Sequence, residues 1–408
     1  MPHQPPPPLL HRQNTTTQIL HHTTTTIFST RHHLLVFLFV SQLVFSFHIQ
    51  VETILQFLTE YIDNNPSIKT HFHQFKTPPK PINHYHPDPF PSFFDDPLKW
   101  AFHRVSNDPQ PKPELNATIL ALSSFVSENG PRVSEYIHSV TALSFRVTED
   151  KNTVSKKNQD FFTIWLIVTV FLASYGVAVF GFLVTHSMVN GIIFVMIMIH
   201  FLKKKWPLGK IFRDGLDLGM DRLCWLYALR LVLMTGLTQL LGLCFFGNFY
   251  DPYTHFKIFV RLKFMPITSV RYWVEGLERD SYGFLFTWLM LDMYMSLYFS
   301  VDACVAIADS KKNGLEVIKE GYRLMSLMDN PATNLNLLQN FVCGLYVRSI
   351  LADVFGPVFA VVIQSCMEAY FLVAWMMYYL CVKSMDANSR GVPFGQRELE
   401  AMLVDGGQ

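Results

Sequence analysis

Charge is scarce in this sequence: 16% of its 408 residues are charged and the formal net charge is +1. Between Phe161 and Leu202 there is no Asp, Glu, Lys or Arg at all. A soluble fold has no use for so long an uncharged segment, so the chain reads as an integral membrane protein. A near-neutral balance also lacks the basic footprint of a nucleic-acid-binding protein. No cysteine precedes Cys224. The six present (Cys224, Cys244, Cys304, Cys343, Cys366 and Cys381) lie in or beside apolar segments, at spacings that match no zinc pattern. They read as small packing residues, and the soluble region has none with which to form a disulfide. Acidic residues are missing before Glu52. Missing too are a P-loop, a Gly-x-Gly-x-x-Gly, a Gly-x-Ser-x-Gly and a His-Glu-x-x-His pattern. Ser187 and Ser269 have no triad context. These absences point away from an enzyme and imply no cofactor and no metal.

Half of the residues are hydrophobic and mean hydropathy is positive, as expected of a polytopic α-helical membrane protein with a modest soluble part. The uncharged run would make a helix of roughly 63 Å, about twice what a 30 Å hydrocarbon core needs. Its one polar cluster, Thr185 to Gly191, ends in Asn190-Gly191, a turn-forming pair. The pattern therefore predicts a hairpin of two spans, 161–184 and 189–202. Lys156 and Lys157 precede the run and Lys203, Lys204 and Lys205 follow it. In a hairpin both clusters face one side, which the positive-inside rule makes cytoplasmic.

Residues 1–33 are low in complexity, with Pro5 to Pro8, threonine clusters and histidines, and predict a disordered leader. The apolar block 34–47 has the length of a signal h-region or short signal anchor, set at 34–50, directing the chain to the endoplasmic reticulum or another secretory-pathway membrane. An organelle transit peptide is the rival, because the lead is acid-poor and rich in hydroxyls. Residues 51–157 read as a proline-rich linker and a small helical soluble domain. Asn116-Ala117-Thr118 in it is an N-glycosylation sequon, usable if that domain is lumenal. Such a placement conflicts with a cytosolic Lys156 and Lys157. Residues 158–385 form the multi-pass domain, with further spans at 223–246, 284–308 and 355–382. A weaker segment, 335–351, interrupted by Asn336, Gln339, Asn340 and Arg348, reads as a re-entrant helix or an extra span. Residues 386–408 read as a polar tail. Leu315, Ile318, Tyr322 and Met325 align on one face of an amphipathic helix, 315–328.

Asp221-Arg222-Leu223-Cys224-Trp225-Leu226-Tyr227, Gly236-Leu237-Thr238-Gln239-Leu240-Leu241-Gly242 and Phe249-Tyr250-Asp251-Pro252-Tyr253 stand in the second half. With Val301-Asp302-Ala303 and Ala306-Ile307-Ala308-Asp309-Ser310, these resemble a family of plant multi-pass membrane proteins without assigned function. The resemblance covers about 160–385. It implies a plant origin and a multi-pass topology, and it carries no catalytic residue.

A charge at the centre of a membrane helix costs about 2.5–3.5 kcal/mol on the insertion scale. Arg230, Asp292, Asp302 and Glu368 therefore need partners or water, and are site candidates. Arg230 would pair with Asp292 or Glu368. Asp292 and Asp302, ten positions apart, would share one wide face with Tyr294 and Tyr298 on a continuous helix. His186 and His200, fourteen apart, would share a face only if the hairpin did not break their helix. The leading functional expectation is a non-enzymatic scaffold of the endomembrane system. It would bind the lipid bilayer and protein partners through the soluble helices and helix 315–328. The rival is a transporter or channel using the four intramembrane charges. A lipid-modifying enzyme is the third reading.

Overall fold

The computed structural model describes residues 15–64, 151–247, 252–268, 278–309, 312, 314–391 and 395–404. Asn116, the proline-rich linker and most of the soluble domain lie outside them. The chain divides into two compact units: Met1–Asn65 with Thr163–Phe245 and Phe256–Gln408, and Pro66–Phe162 with Phe246–His255. The first is the helical assembly discussed below. Among the described residues there is no strand. Six helices or helix pairs are long and apolar enough to cross a membrane by length and composition.

The first helix, α1 (Thr16–Phe28), falls where the composition predicts disorder. Thr15 caps it by accepting a hydrogen bond from Gln18 N. Thr23, Thr24 and Thr25 turn their hydroxyls back onto carbonyls one turn earlier, which hides polar atoms that would otherwise resist burial. Ile19 and Ile27 are buried. Helix α2 (Arg31–Asn64) contains the whole of the expected signal segment and continues well beyond it. Val36, Val40, Val44, Val51, Leu58 and Ile62 form its buried stripe at three- and four-residue spacing. The segment is thus a full helix packed into the assembly.

The expected hairpin is instead one continuous helix, α3 (Lys151–Leu202), of 52 residues. The reason lies in α4 (Leu208–Phe246). Ser187 and Gly191 on α3 face Gly215 and Gly219 on α4, each pair one turn apart. A methyl group at Gly191 would collide with the Gly215 carbonyl, and one at Gly219 with the Ser187 carbonyl. The glycine serves a backbone-to-backbone contact between helices, the small-xxx-small geometry of membrane packing. Asn190 is equally helical: its amide donates to the His186 carbonyl at 2.9 Å and to the Tyr227 hydroxyl on α4 at 2.7 Å.

Helix α5 (Pro252–Phe264) follows. The span expected at 284–308 is broken into α6 (Glu278–Phe299) and α7 (Asp302–Ala308), with Ser300 and Val301 as the turn. The break removes the shared face assumed for Asp292 and Asp302. Helix α8 (Leu315–Leu327) starts after Gly314 at φ 54° and buries Val317, Gly321, Leu324 and Met325. Of the expected face Met325 is buried while Leu315 and Tyr322 are exposed, because the side turned to α7 and to the later helix Pro357–Ser389 is rotated from the one the apolar spacing marks. The weak segment is two helices, α9 (Asp329–Val342) and α10 (Leu345–Phe355), parted at Cys343 and Gly344. Gly356 at φ 93° then leads into α11 (Pro357–Ser389), with Pro357 in its first turn. Helix α11 overruns the expected span into the tail, which also contains α12 (Gln396–Val404).

Helix α11 is the hub of the unit, packing against α1, α2, α8, α9 and α10. Its aromatic residues bury rings and still satisfy their polar ends. Tyr370 donates to the Leu20 carbonyl at 3.0 Å, Trp375 to Gln339 Oε1 at 2.6 Å, and Tyr378 to the Met328 carbonyl at 3.0 Å. Trp288 on α6 likewise donates to Thr238 on α4 at 3.0 Å. With no water in a hydrocarbon core, such donors need protein acceptors.

Candidate functional site

Two helices carry matched polar pairs. His48 and Glu52 lie one turn apart on α2, and Gln364 and Glu368 one turn apart on α11. The α2–α11 packing joins them. His48 Nε2 is 2.9 Å from Glu368 Oε2, and Gln364 Nε2 donates to Glu368 Oε1 at 2.8 Å. One turn along α2, Glu52 forms an ion pair with Arg348 of α10. Besides Glu52 Oε1, which the ion pair with Arg348 engages, three buried polar atoms of this group have no hydrogen-bond partner: His48 Nδ1, Arg348 Nη1 and Gln364 Oε1. They comprise one guanidinium donor, one amide acceptor and one imidazole nitrogen, so the group is not closed upon itself.

His186 of α3 sits beside it, its ring centroid 4.4 Å from that of Phe182 and 5.8 Å from those of Phe47 and Tyr227. Its ring interacts electrostatically with Glu368 and His48, and also with Arg230 of α4. It therefore links the α2–α11 group to a second one.

That second group holds three of the four charges expected from the sequence. Arg230 and Asp292 are half-buried on α4 and α6, and Asp302 on α7 is fully buried. Arg230 acts on both carboxylates through space, yet no ion pair within 4.0 Å joins them among the described residues. The fourth charge, Glu368, is taken by His48 rather than by Arg230. Both carboxylate oxygens of Asp302 lack a hydrogen-bond partner.

A third polar cluster lies at the docking edge of α8. Arg323 donates to Glu320 at 2.8 Å and 2.9 Å and to both oxygens of Asp386 on α11 at 2.9 Å. Lys312 adds a contact to Glu320 at 3.3 Å. The Arg323 guanidinium, opposed by partial burial and helped by Lys312, holds Glu320 down to about 2, from an ordinary 4.5. Among the described residues no three His, Cys, Asp or Glu side chains are grouped to hold a metal ion.

The sequence profile of a family of unknown function (DUF7813) matches residues 12–161 and 151–403. The chain belongs to that family. No curated protein and no solved structure matches it. In this DUF7813 chain the apolar background marks Arg230, Asp292, Asp302 and Glu368 on inspection, but not the His48–Glu368 or Glu52–Arg348 pairs. The signal that finds them is the repeat of a polar residue one turn from a carboxylate in two otherwise apolar helices. His200, singled out for its spacing from His186, instead contacts the edge of the His33 ring, 5.1 Å between centroids.

Proposed function

We propose that this is a non-enzymatic, multi-pass membrane protein that moves protons, alone or with a small polar solute. His48, Glu368 and His186 would be its path, with Arg230 as a fixed positive charge beside it. One observation carries the reading: the His48–Glu368 pair lies among apolar helices with three neighbouring polar atoms unpartnered. A purely structural ion pair is best when its network is fully satisfied, because each unmet buried group costs stability. Groups left open inside membrane helices are the usual mark of an ion or substrate path. A plant, secretory-pathway setting belongs to the same proposal, as does a lumenal glycan at Asn116.

The test is proton flux into proteoliposomes containing a pH-sensitive dye, driven by a potassium gradient with valinomycin. Wild-type protein should acidify the lumen faster than empty vesicles. Glu368→Gln and His48→Ala should each reduce that excess at least tenfold. Wild-type flux equal to that of empty vesicles, or variants that match wild type, would sink the idea.

A scaffold role is the second reading, and α8 favours it. Its base is clamped by Arg323 and Asp386, while Leu315, Tyr322 and Leu327 remain exposed. Photo-crosslinking from position 322 in native membranes should capture a defined protein under this reading. Lipid adducts alone would count against it.

A further inference from the structure

Asp302 is the most anomalous side chain among the described residues. It is 0% exposed, and neither of its carboxylate oxygens has a hydrogen-bond partner. It also stands at the break in a membrane-length segment, where α6 ends at Phe299 and α7 begins. Irregular backbone at membrane depth is tolerated where it is buried in protein or lines a site. Opposite it, α8 places Gly321, and a methyl group there would overlap Asp302 Oδ1. A glycine inside a helix is unfavourable relative to alanine. Here it leaves a niche filled by one carboxylate oxygen. Arg230 acts on that carboxylate from α4 without pairing with it. An ionised carboxylate so placed needs a counter-charge, and the chain brings none into contact.

We propose that Asp302 anchors a monovalent-cation site at this break, the bound species being an alkali metal ion. The inference goes beyond proton flux through His48 and Glu368 and stands whether or not that flux is observed. Binding is a simple neutralisation: the carboxylate takes up one cation and releases it unchanged. Arg230 on α4 and Cys304 on α7 act on that carboxylate, Tyr227 on α4 and Tyr379 on α11 act on Cys304, and Arg222 on α4 donates to the Ile307 carbonyl of α7 at 2.7 Å. Asp292 and Tyr298 stand on α6, and Glu320 and Arg323 on α8. The last two are closed on each other. A merely structural buried acid would take up a proton as pH falls but would not tell sodium or potassium from N-methylglucamine.

The experiment is thermal unfolding of the full chain in detergent micelles, followed by tryptophan fluorescence. Sodium, potassium and N-methylglucamine chlorides are compared at equal ionic strength and at several pH values. A ligand that binds only the folded state raises the midpoint as its concentration passes its dissociation constant. Wild type should gain a few degrees from sodium or potassium over N-methylglucamine at fixed pH; a gain from lowered pH alone overturns the proposal. Asp302→Asn should begin at the higher midpoint and lack that response. Gly321→Ala keeps the acid but fills the niche, and should weaken the apparent cation affinity at least tenfold. It also carries the test if Asp302→Asn does not fold. The proposal is equally overturned by a wild type indifferent to the cation, by Asp302→Asn responding as wild type does, or by unchanged affinity in Gly321→Ala.

Discussion

Glu320 owes its acidity to Arg323 beside it, and this gives α8 a defined pH response. Its folded value lies near 2, below the ordinary 4.5. The stabilisation is therefore complete above about 4.5 and is lost as pH falls towards 2, where the folded carboxylate takes up its proton. Amide hydrogen exchange over Leu315–Leu327 should stay slow from neutral pH to about 5, after correction for the intrinsic rate, and then accelerate. Arg323→Gln should give fast exchange throughout. Steady protection of the wild type down to pH 2 would contradict this account. The pair between Glu52 and Arg348 makes a different prediction. Removing one buried partner strands the other, at a cost of about 3–5 kcal/mol. Arg348→Met should approach the lower end, because Glu52 keeps a side-chain exposure of 33%. Adding Glu52→Leu should restore most of the loss, as read from denaturant unfolding in micelles. The sequence announces such charges because they interrupt apolar runs. It does not announce their partners: Glu368 was expected beside Arg230 and is held by a histidine from the other end of the chain.

Among the elements, α3 and α4 make the sharpest case. Asn190-Gly191 is a turn signal when nothing lies opposite, and a contact surface when Gly215 and Gly219 do. Local sequence is the same in both, so only the neighbouring helix decides. Gly191→Val or Gly219→Leu should force the two backbones apart, costing about 1–3 kcal/mol by overpacking. Ser187 Oγ stands 3.6 Å from the native Cys224 thiol on α4, so Ser187→Cys should crosslink to it readily in the parent and poorly in the Gly219→Leu background. Equal crosslinking would show that the contact is looser than described. Most of the remaining elements were legible from periodicity. The apolar block inside α2, the helix at 315–328 and the apolar length of α11 stand in the sequence, but the buried face of α8 does not: Leu315 and Tyr322 of the expected face are exposed. The break at Ser300 was not legible, since serine is no strong breaker by itself; Gly344 is a breaker, but the weak apolar pattern of 335–351 ran across it. Helix α1 was hidden because its threonines satisfy their own hydroxyls, a trick invisible to composition.

For the whole molecule, the continuity of α3 changes the expected sidedness. A hairpin would return Lys203 to the side of Lys156. If α3 crosses a membrane once, as its length and composition allow, the lysine clusters lie on opposite sides, and cytosolic lysines after Leu202 no longer conflict with a lumenal Asn116. Single cysteines introduced at Asn158 and at Lys204 should therefore react with an impermeant maleimide from opposite sides of sealed vesicles. Labelling from one side would restore the hairpin.

The docking of α2 onto α11 also has a consequence in time. His48 and Glu368 are separated by 320 residues. At about 5–20 residues per second, a ribosome needs roughly 16–64 s to pass from one to the other. Through that interval α2 is without the partners of its imidazole and its carboxylate. A chain released before Arg348 is made has neither partner, so His48 and Glu52 stay unmatched in it.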